Sequence, residues 1–151
     1  MSTERNNTSN ATAIRLLQVD GKTLGVREDV VLTVINWTTP TPLPFAPNTV
    51  YGIVSVQGRM FTVVDLRVLL DGESAQQNSK QIVALRGDEQ LALAVDESNS
   101  VITADCNNIH NDANSLFECS VNVDGNDLQL LNPEGLFAAV MKGRERRKRR
   151  L

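Results

Sequence analysis

Val50 to Gly72 reads VYGIVSVQGRMFTVVDLRVLLDG. Apolar residues alternate with polar ones as far as Gly58, resume after Arg59, and change to helical spacing at Asp65. Period-two alternation marks a half-buried strand, and a three-to-four spacing marks a helix. The stretch therefore predicts strand, tight turn, strand and helix. Asp65 stands at the last junction, where either a catalytic carboxylate or a helix cap would be placed.

A second copy decides between those roles. Shifting the chain on itself by 67 residues lays Val56–Leu70 over Val123–Phe137. Val56 meets Val123, Gly58 meets Gly125, and Phe61, Val63 and Val64 meet Leu128, Leu130 and Leu131. The same shift pairs Leu24 with Leu91, Asp29 with Asp96, and Val34-Ile35 with Val101-Ile102. Self-similarity at one offset in separated regions points to a duplication. Two units follow, about 13–79 and 80–143, after an N-terminal arm over residues 1–12. Asp65 meets Asn132 under this shift, and Pro133 follows Asn132. Asp and Asn both serve as N-caps, and proline suits the first helical position. Capping explains both copies, whereas acid catalysis explains one. Gly72 and Gly143 are expected to close the two helices in the left-handed conformation.

Each unit then reads alike. Strands are expected at Ile14–Val19 and Thr23–Val26 around an Asp20-Gly21 turn, and at about 52–57 and 60–64 around a Gly58-Arg59 turn. The second unit offers Gln81–Leu85, Leu91–Val95, Ser120–Val123 and Leu128–Leu131, with Gly125 in the last turn. Val30, Val31, Val34 and Ile35 fall on one helical face, which predicts a short helix in REDVVLTVI. The proline-rich TTPTPLPFAPN cannot hold a regular ladder and should run extended, exposed or along a groove. Short antiparallel strands at this spacing suggest two small barrels.

Composition agrees. The chain has 151 residues, 41% of them hydrophobic but only 4% aromatic, so a core must rest on Val, Leu and Ile. No apolar run reaches the about 18 residues of a membrane helix, and the first twelve residues hold no apolar signal core, which predicts a cytoplasmic location. Cys106 and Cys119 are expected to remain two separate reduced thiols. His110 is the single histidine, and it stands in a polar segment with no orienting partner for catalysis. No metal-ligand spacing, phosphate loop or calcium loop is legible, so neither cofactor nor small-molecule substrate is expected. The sequence argues against an enzyme.

Charge is unevenly spread. Seven basic residues, Lys142, Arg144, Arg146, Arg147, Lys148, Arg149 and Arg150, with one acid, give residues 142–150 a charge of +6; the other 142 residues carry −9. Residues 144–151 read as a basic tail suited to an anionic partner, such as nucleic acid or an acidic membrane surface.

With these pieces in place, residues 13–141 resemble the CheW-like domain family of bacterial chemosensory coupling proteins. The most specific piece is TPLPFAPNTVYGIVSVQGRMFTVVDLRVLL, where Pro42, Pro44, Gly52, Gly58, Val63, Asp65, Leu66 and Arg67 fit the family outline. LALAVDESNSVIT, from Leu91 to Thr103, also looks like a family run. Gln57 stands where the family usually carries arginine in Asn-Leu-Arg-Gly. The resemblance implies two intertwined five-stranded SH3-like β-barrels and a non-catalytic adaptor. Its partners would be a chemoreceptor cytoplasmic tip and the regulatory domain of a CheA-type histidine kinase, in receptor clusters at the inner membrane. The contact surface expected on this basis comprises Val30, Val31, Val34 and Ile35 as a groove wall, with Gln57 and Arg59 at a hairpin tip. Gly58, Asp65, Gly125 and Asn132 are expected to act as structural turns and caps.

Overall fold

The computed structural model describes residues 11–71, 79–106 and 115–149, with side chains of the last helix described as far as Met141. The first unit runs β1 (Ala11–Val19), β2 (Lys22–Arg27), a 3-10 turn (Glu28–Val30), β3 (Val31–Asn36), β4 (Val50–Val56), β5 (Arg59–Asp65) and α1 (Leu66–Asp71). The second runs β6 (Gln81–Leu85), β7 (Leu91–Val95), β8 (Val101–Asp105), β9 (Phe117–Val123), β10 (Asn126–Leu131) and α2 (Pro133–Arg149).

The strands form two five-stranded curled sheets, ordered β8-β1-β2-β10-β9 and β3-β6-β7-β5-β4. Under the shift of 67 residues, β3, β6, β7, β5 and β4 correspond to β8, β1, β2, β10 and β9, so one order translates into the other. The pairing directions match as well. β2 lies parallel to β10 and β5 parallel to β7, while the remaining pairs are antiparallel. Each barrel thus takes its central hairpin from one half of the chain and its other three strands from the other half. The purely antiparallel pairing expected from the sequence is corrected at those two junctions, because a hairpin inserted from the other half meets its neighbour by translation and not by a turn.

Alternation along the strands divides the core into three. Val63, Ile82 and Ala92 enter the interior of the second barrel with Val54, Val56 and Phe61. Their neighbours Val64, Val83 and Leu93 face the opposite way, into a central core shared with Leu17, Val26, Leu131 and Leu136. The first barrel repeats the pattern with Val121, Leu128 and Leu130. These strands are buried on both faces, which is why they read as near-continuous apolar runs.

The expected helix at REDVVLTVI is a 3-10 turn followed by β3. β-Branched side chains favour the strand, and a bulge between Val31 and Thr33 changes the alternation. Val31 and Val34 consequently both reach the central core, while Leu32 and Ile35 pack in the second barrel. That parity change imitates helical spacing in the sequence. The β4–β5 turn also moves by one residue, to Gln57-Gly58, with φ of 53° and 78°. Asp20-Gly21 (52° and 80°) and Asp124-Gly125 (53° and 85°) have the same paired positive φ, the signature of a two-residue hairpin turn matched to strand twist. α2 passes through Gly143 to Arg149, so Gly143 does not terminate it. Gly72 and His110 lie outside the described residues.

Candidate protein-interaction surface

At the β4–β5 tip, Gln57 occupies the first turn position with its side chain exposed. Arg59 follows as the first residue of β5, and its guanidinium carbon lies 6.0 Å from the Phe61 ring centroid. Phe61 is buried, while Met60, on the other strand face, is 57% exposed. The tip therefore offers an amide, a cation steadied over an aromatic ring, and a flexible apolar side chain.

The proline-rich connection crosses the outer edge of β4. Thr41 N–H donates to the Ile53 carbonyl and Ile53 N–H to that of Thr41, each at 2.8 Å. Gly52 permits this crossing: its φ is +151°, and a Cβ there would lie 2.2 Å from the Thr41 oxygen. Beyond the bridge the connection turns outward. Leu43 is 41% exposed and Phe45 is 98% exposed with φ of +61°, a backbone state that a bulky side chain rarely adopts. Phe45 is not among the contact residues expected from the sequence. Its signal was an aromatic residue among prolines, with no apolar periodicity to bury it.

Behind this face lies a buried polar group. Asp65 Oδ1 accepts the Arg67 backbone N–H at 3.0 Å, as an N-cap does, and the Arg67 Nε at 3.3 Å. Arg67 also donates from Nη2 to the Tyr51 hydroxyl, and the Tyr51 ring meets Trp37 edge-on at 5.6 Å. Burial alone would lower the Arg67 pKa, but Asp65 and Tyr51 outweigh it and raise it. Burial, with the charge of Asp65 beside it, raises the Tyr51 pKa against the opposing effect of Arg67. The carboxylate is committed to a cap and an ion pair. At the equivalent position Asn132 accepts Leu136 N–H on its carbonyl, and its side-chain amide donates to the Ser115 carbonyl. The backbone bonds repeat too: Asp65 N–H donates to Thr49 and Asn132 N–H to Leu116, two acceptors related by the same shift.

The remaining expected contact residues separate. Val31 is buried at 7% exposure, Val30 and Val34 pack partly against the central core, and Ile35 joins Trp37 and Tyr51 in the second barrel. They face two cores and do not share one open wall. The halves are tied nearby by Arg15, which forms a two-pronged pair with Glu28 at 2.8 Å and donates to the Ser98 carbonyl at 3.0 Å. On the same sheet as Arg15, Arg27 of β2 meets Glu118 of β9 at 3.1 Å. Burial raises the Glu118 pKa, Arg27 counters it, and Asp29 adds to it. Lys142 to Arg149 continue the helix, and Arg150 lies outside the described residues. Among the described residues no group of three His, Cys, Asp or Glu is placed to hold a metal, and no helix is long and apolar enough to cross a membrane.

The expectation of two separate thiols is overturned. Cys106, just past β8, is joined to Cys119 in β9 by a disulfide, with Cα atoms 5.7 Å apart. The curling of the sheet brings the two positions within bonding reach, a proximity that a separation of 13 residues did not reveal.

The model of the CheW-like domain matches residues 14–141. The chain belongs to the CheW-like domain family. Among solved structures it is similar to the scaffolding protein TtCheW from Thermoanaerobacter tengcongensis, with a TM-score of 0.67 and 18% identity over 80% of this chain and 88% of that one. Comparison with curated proteins gives no match. The CheW-like assignment accounts for the intertwined barrels, and CheW proteins are non-catalytic scaffolds of chemotaxis. The committed Asp65 carboxylate fits that role: its contacts hold the fold together.

Proposed function

We propose that this chain couples the cytoplasmic tip of a chemoreceptor to the regulatory domain of a CheA-type histidine kinase, within receptor clusters at the inner membrane. The observation that carries this reading is the CheW-like domain over residues 14–141, joined to an exposed β4–β5 face. Gln57 and Arg59 at the tip supply polar selectivity, and Met60 and Phe45 supply apolar area. Val30, Val31, Val34 and Ile35 contribute indirectly, by anchoring β3 in the two cores. Interfaces draw most of their energy from a few aromatic, Met and Arg anchors. Titration calorimetry of the full chain against a CheA-type regulatory domain should give micromolar binding. Phe45→Asn and the double variant Arg59→Glu/Met60→Gln should each weaken it about tenfold, as loss of an anchor does. Absence of heat with both the kinase domain and a receptor tip, where a control coupling protein binds, rejects the reading.

A charge of +6 across residues 142–150 supports a second reading, in which the tail adds an anionic partner. Up to seven phosphate contacts would give an affinity falling steeply with salt. Deleting residues 142–151 should abolish salt-sensitive binding to duplex DNA or to acidic vesicles. If the intact chain binds neither, the tail has no such role.

A further inference from the structure

Each barrel has a seam between the strands at its two sheet edges, and a different described contact crosses each. In the second barrel the chain leaving β3 reaches β4 through the paired backbone bonds of Thr41 and Ile53, beside Gly52. In the first barrel the chain leaving β8 reaches β9 through the bond between Cys106 and Cys119. The shift of 67 residues places Cys106 on Thr39 and Cys119 on Gly52, so the disulfide falls beside the positions equivalent to the Thr41–Ile53 bridge. Cys119 is 2% exposed within the first barrel's core, whereas Cys106 is only partly covered. One sulfur is thus open to a small thiol and the other is screened.

We infer that Cys106 and Cys119 form a reversible thiol–disulfide clasp, taking low-molecular-weight disulfides and thiols of the glutathione class as co-reactants, which puts closure of the first barrel under redox control. During oxidation the Cys106 thiolate attacks one sulfur of the small disulfide, releasing one small thiolate and leaving a mixed disulfide on Cys106. The Cys119 thiolate then attacks the Cys106 sulfur, forming the internal bond and expelling the second small thiolate. Two protein thiols give up two protons and two electrons, and one small disulfide becomes two thiols. Reduction retraces the path: a small thiolate attacks Cys106 and Cys119 leaves. The equivalent seam, held by backbone bonds, keeps the second barrel closed in either state. The clasp does not depend on the coupling role, and its test requires no partner.

The full chain is equilibrated across a series of reduced-to-oxidised glutathione ratios, trapped with an alkylating agent, and weighed intact. Protected mass should change in one step, from two alkylated thiols to none, within the monomer. Amide exchange in Val101–Asp105 and Phe117–Val123 should quicken about tenfold or more on reduction, as a released element opens more often, while β4 and β5 stay unchanged. Cys106→Ser should exchange like the reduced protein in every buffer, and Cys119→Ala should reproduce it with a different core residue. Two alkylated thiols in the most oxidising buffer, a disulfide-linked dimer, or equal exchange in the two states would each overturn the clasp.

Discussion

Arg67 carries its charge at 4% exposure, between the Asp65 carboxylate and the Tyr51 hydroxyl. Taking a guanidinium out of water is costly unless it is paired, and removing one member of a buried pair leaves the other charge without that compensation. Arg67→Met should therefore destabilise the fold by about 3 kcal/mol, read as a lower urea midpoint at unchanged slope. Tyr51 gives a pH signature. Its pKa is raised above the ordinary 10.0 in the folded chain, so on alkaline titration the unfolded state loses the phenolic proton first. The contribution to stability is fully present below pH 10.0 and is lost as pH rises through the folded value. Since the chain has one tyrosine, Tyr51→Phe should flatten this alkaline slope in thermal melts from pH 9 to 11 relative to the parent. The Asp65 cap could be read from the sequence because its counterpart is Asn132, which made capping the shared explanation. The aromatic side of the network could not, since Tyr51 lies 16 positions before Arg67 and nothing local joins them.

Two glycines on one element separate backbone conformation from close approach. At Gly58 a Cβ would meet nothing within 4 Å, although φ is +78°; Gly58→Ala should cost about 1 kcal/mol, the strain of a left-handed alanine. At Gly52 an unfavourable φ is combined with a Cβ placed 2.2 Å from the Thr41 oxygen. Gly52→Ala should cost about 3 kcal/mol through strain and overpacking, and proton–deuterium exchange should show the Ile53 amide losing its protection. Equal costs at the two sites would refute the close approach. Element legibility divides along similar lines. Hairpins with a glycine in the turn were legible because both their period and their turn chemistry are local. β3 and β8 were not: β3 was disguised by its bulge, and β8 lies among Ser, Asn and Thr with only partial burial. Their pairing partners, β6 and β1, are distant in sequence and impose the strand from outside. The disulfide escaped for the same reason.

At the scale of the molecule, the duplication was legible in the residues themselves, whereas the intertwining of the barrels was expected from the family resemblance and not from the repeat. Repeats show which segments are equivalent, but they do not say which half a hairpin completes; that choice is made by the central core, where Leu17 and Val26 of β1 and β2 meet Val83 and Leu93 of β6 and β7. The exchange predicts that neither half folds alone. Residues 1–75 would lack β6 and β7 and so the middle of one sheet, and residues 76–151 would lack β1 and β2 and so the middle of the other. Each half alone should show an unfolded circular-dichroism spectrum and collapsed amide shifts, while mixing the two should restore native dispersion. A half that folds unaided would overturn the interlocked topology. Of the proposed contact surface, the hairpin tip could be picked out because its turn chemistry is local in the sequence, whereas Phe45 enters it only through its exposure, a property of the completed fold.

The parallel ladders joining β2 to β10 and β5 to β7 also bear on mechanics. Separating the two halves of the chain would mean breaking main-chain bonds inside both barrels at once, so there is no soft axle between the halves. A push delivered to one half reaches the other as motion of the entire body, in the manner of a stiff bracket bolted between two moving parts.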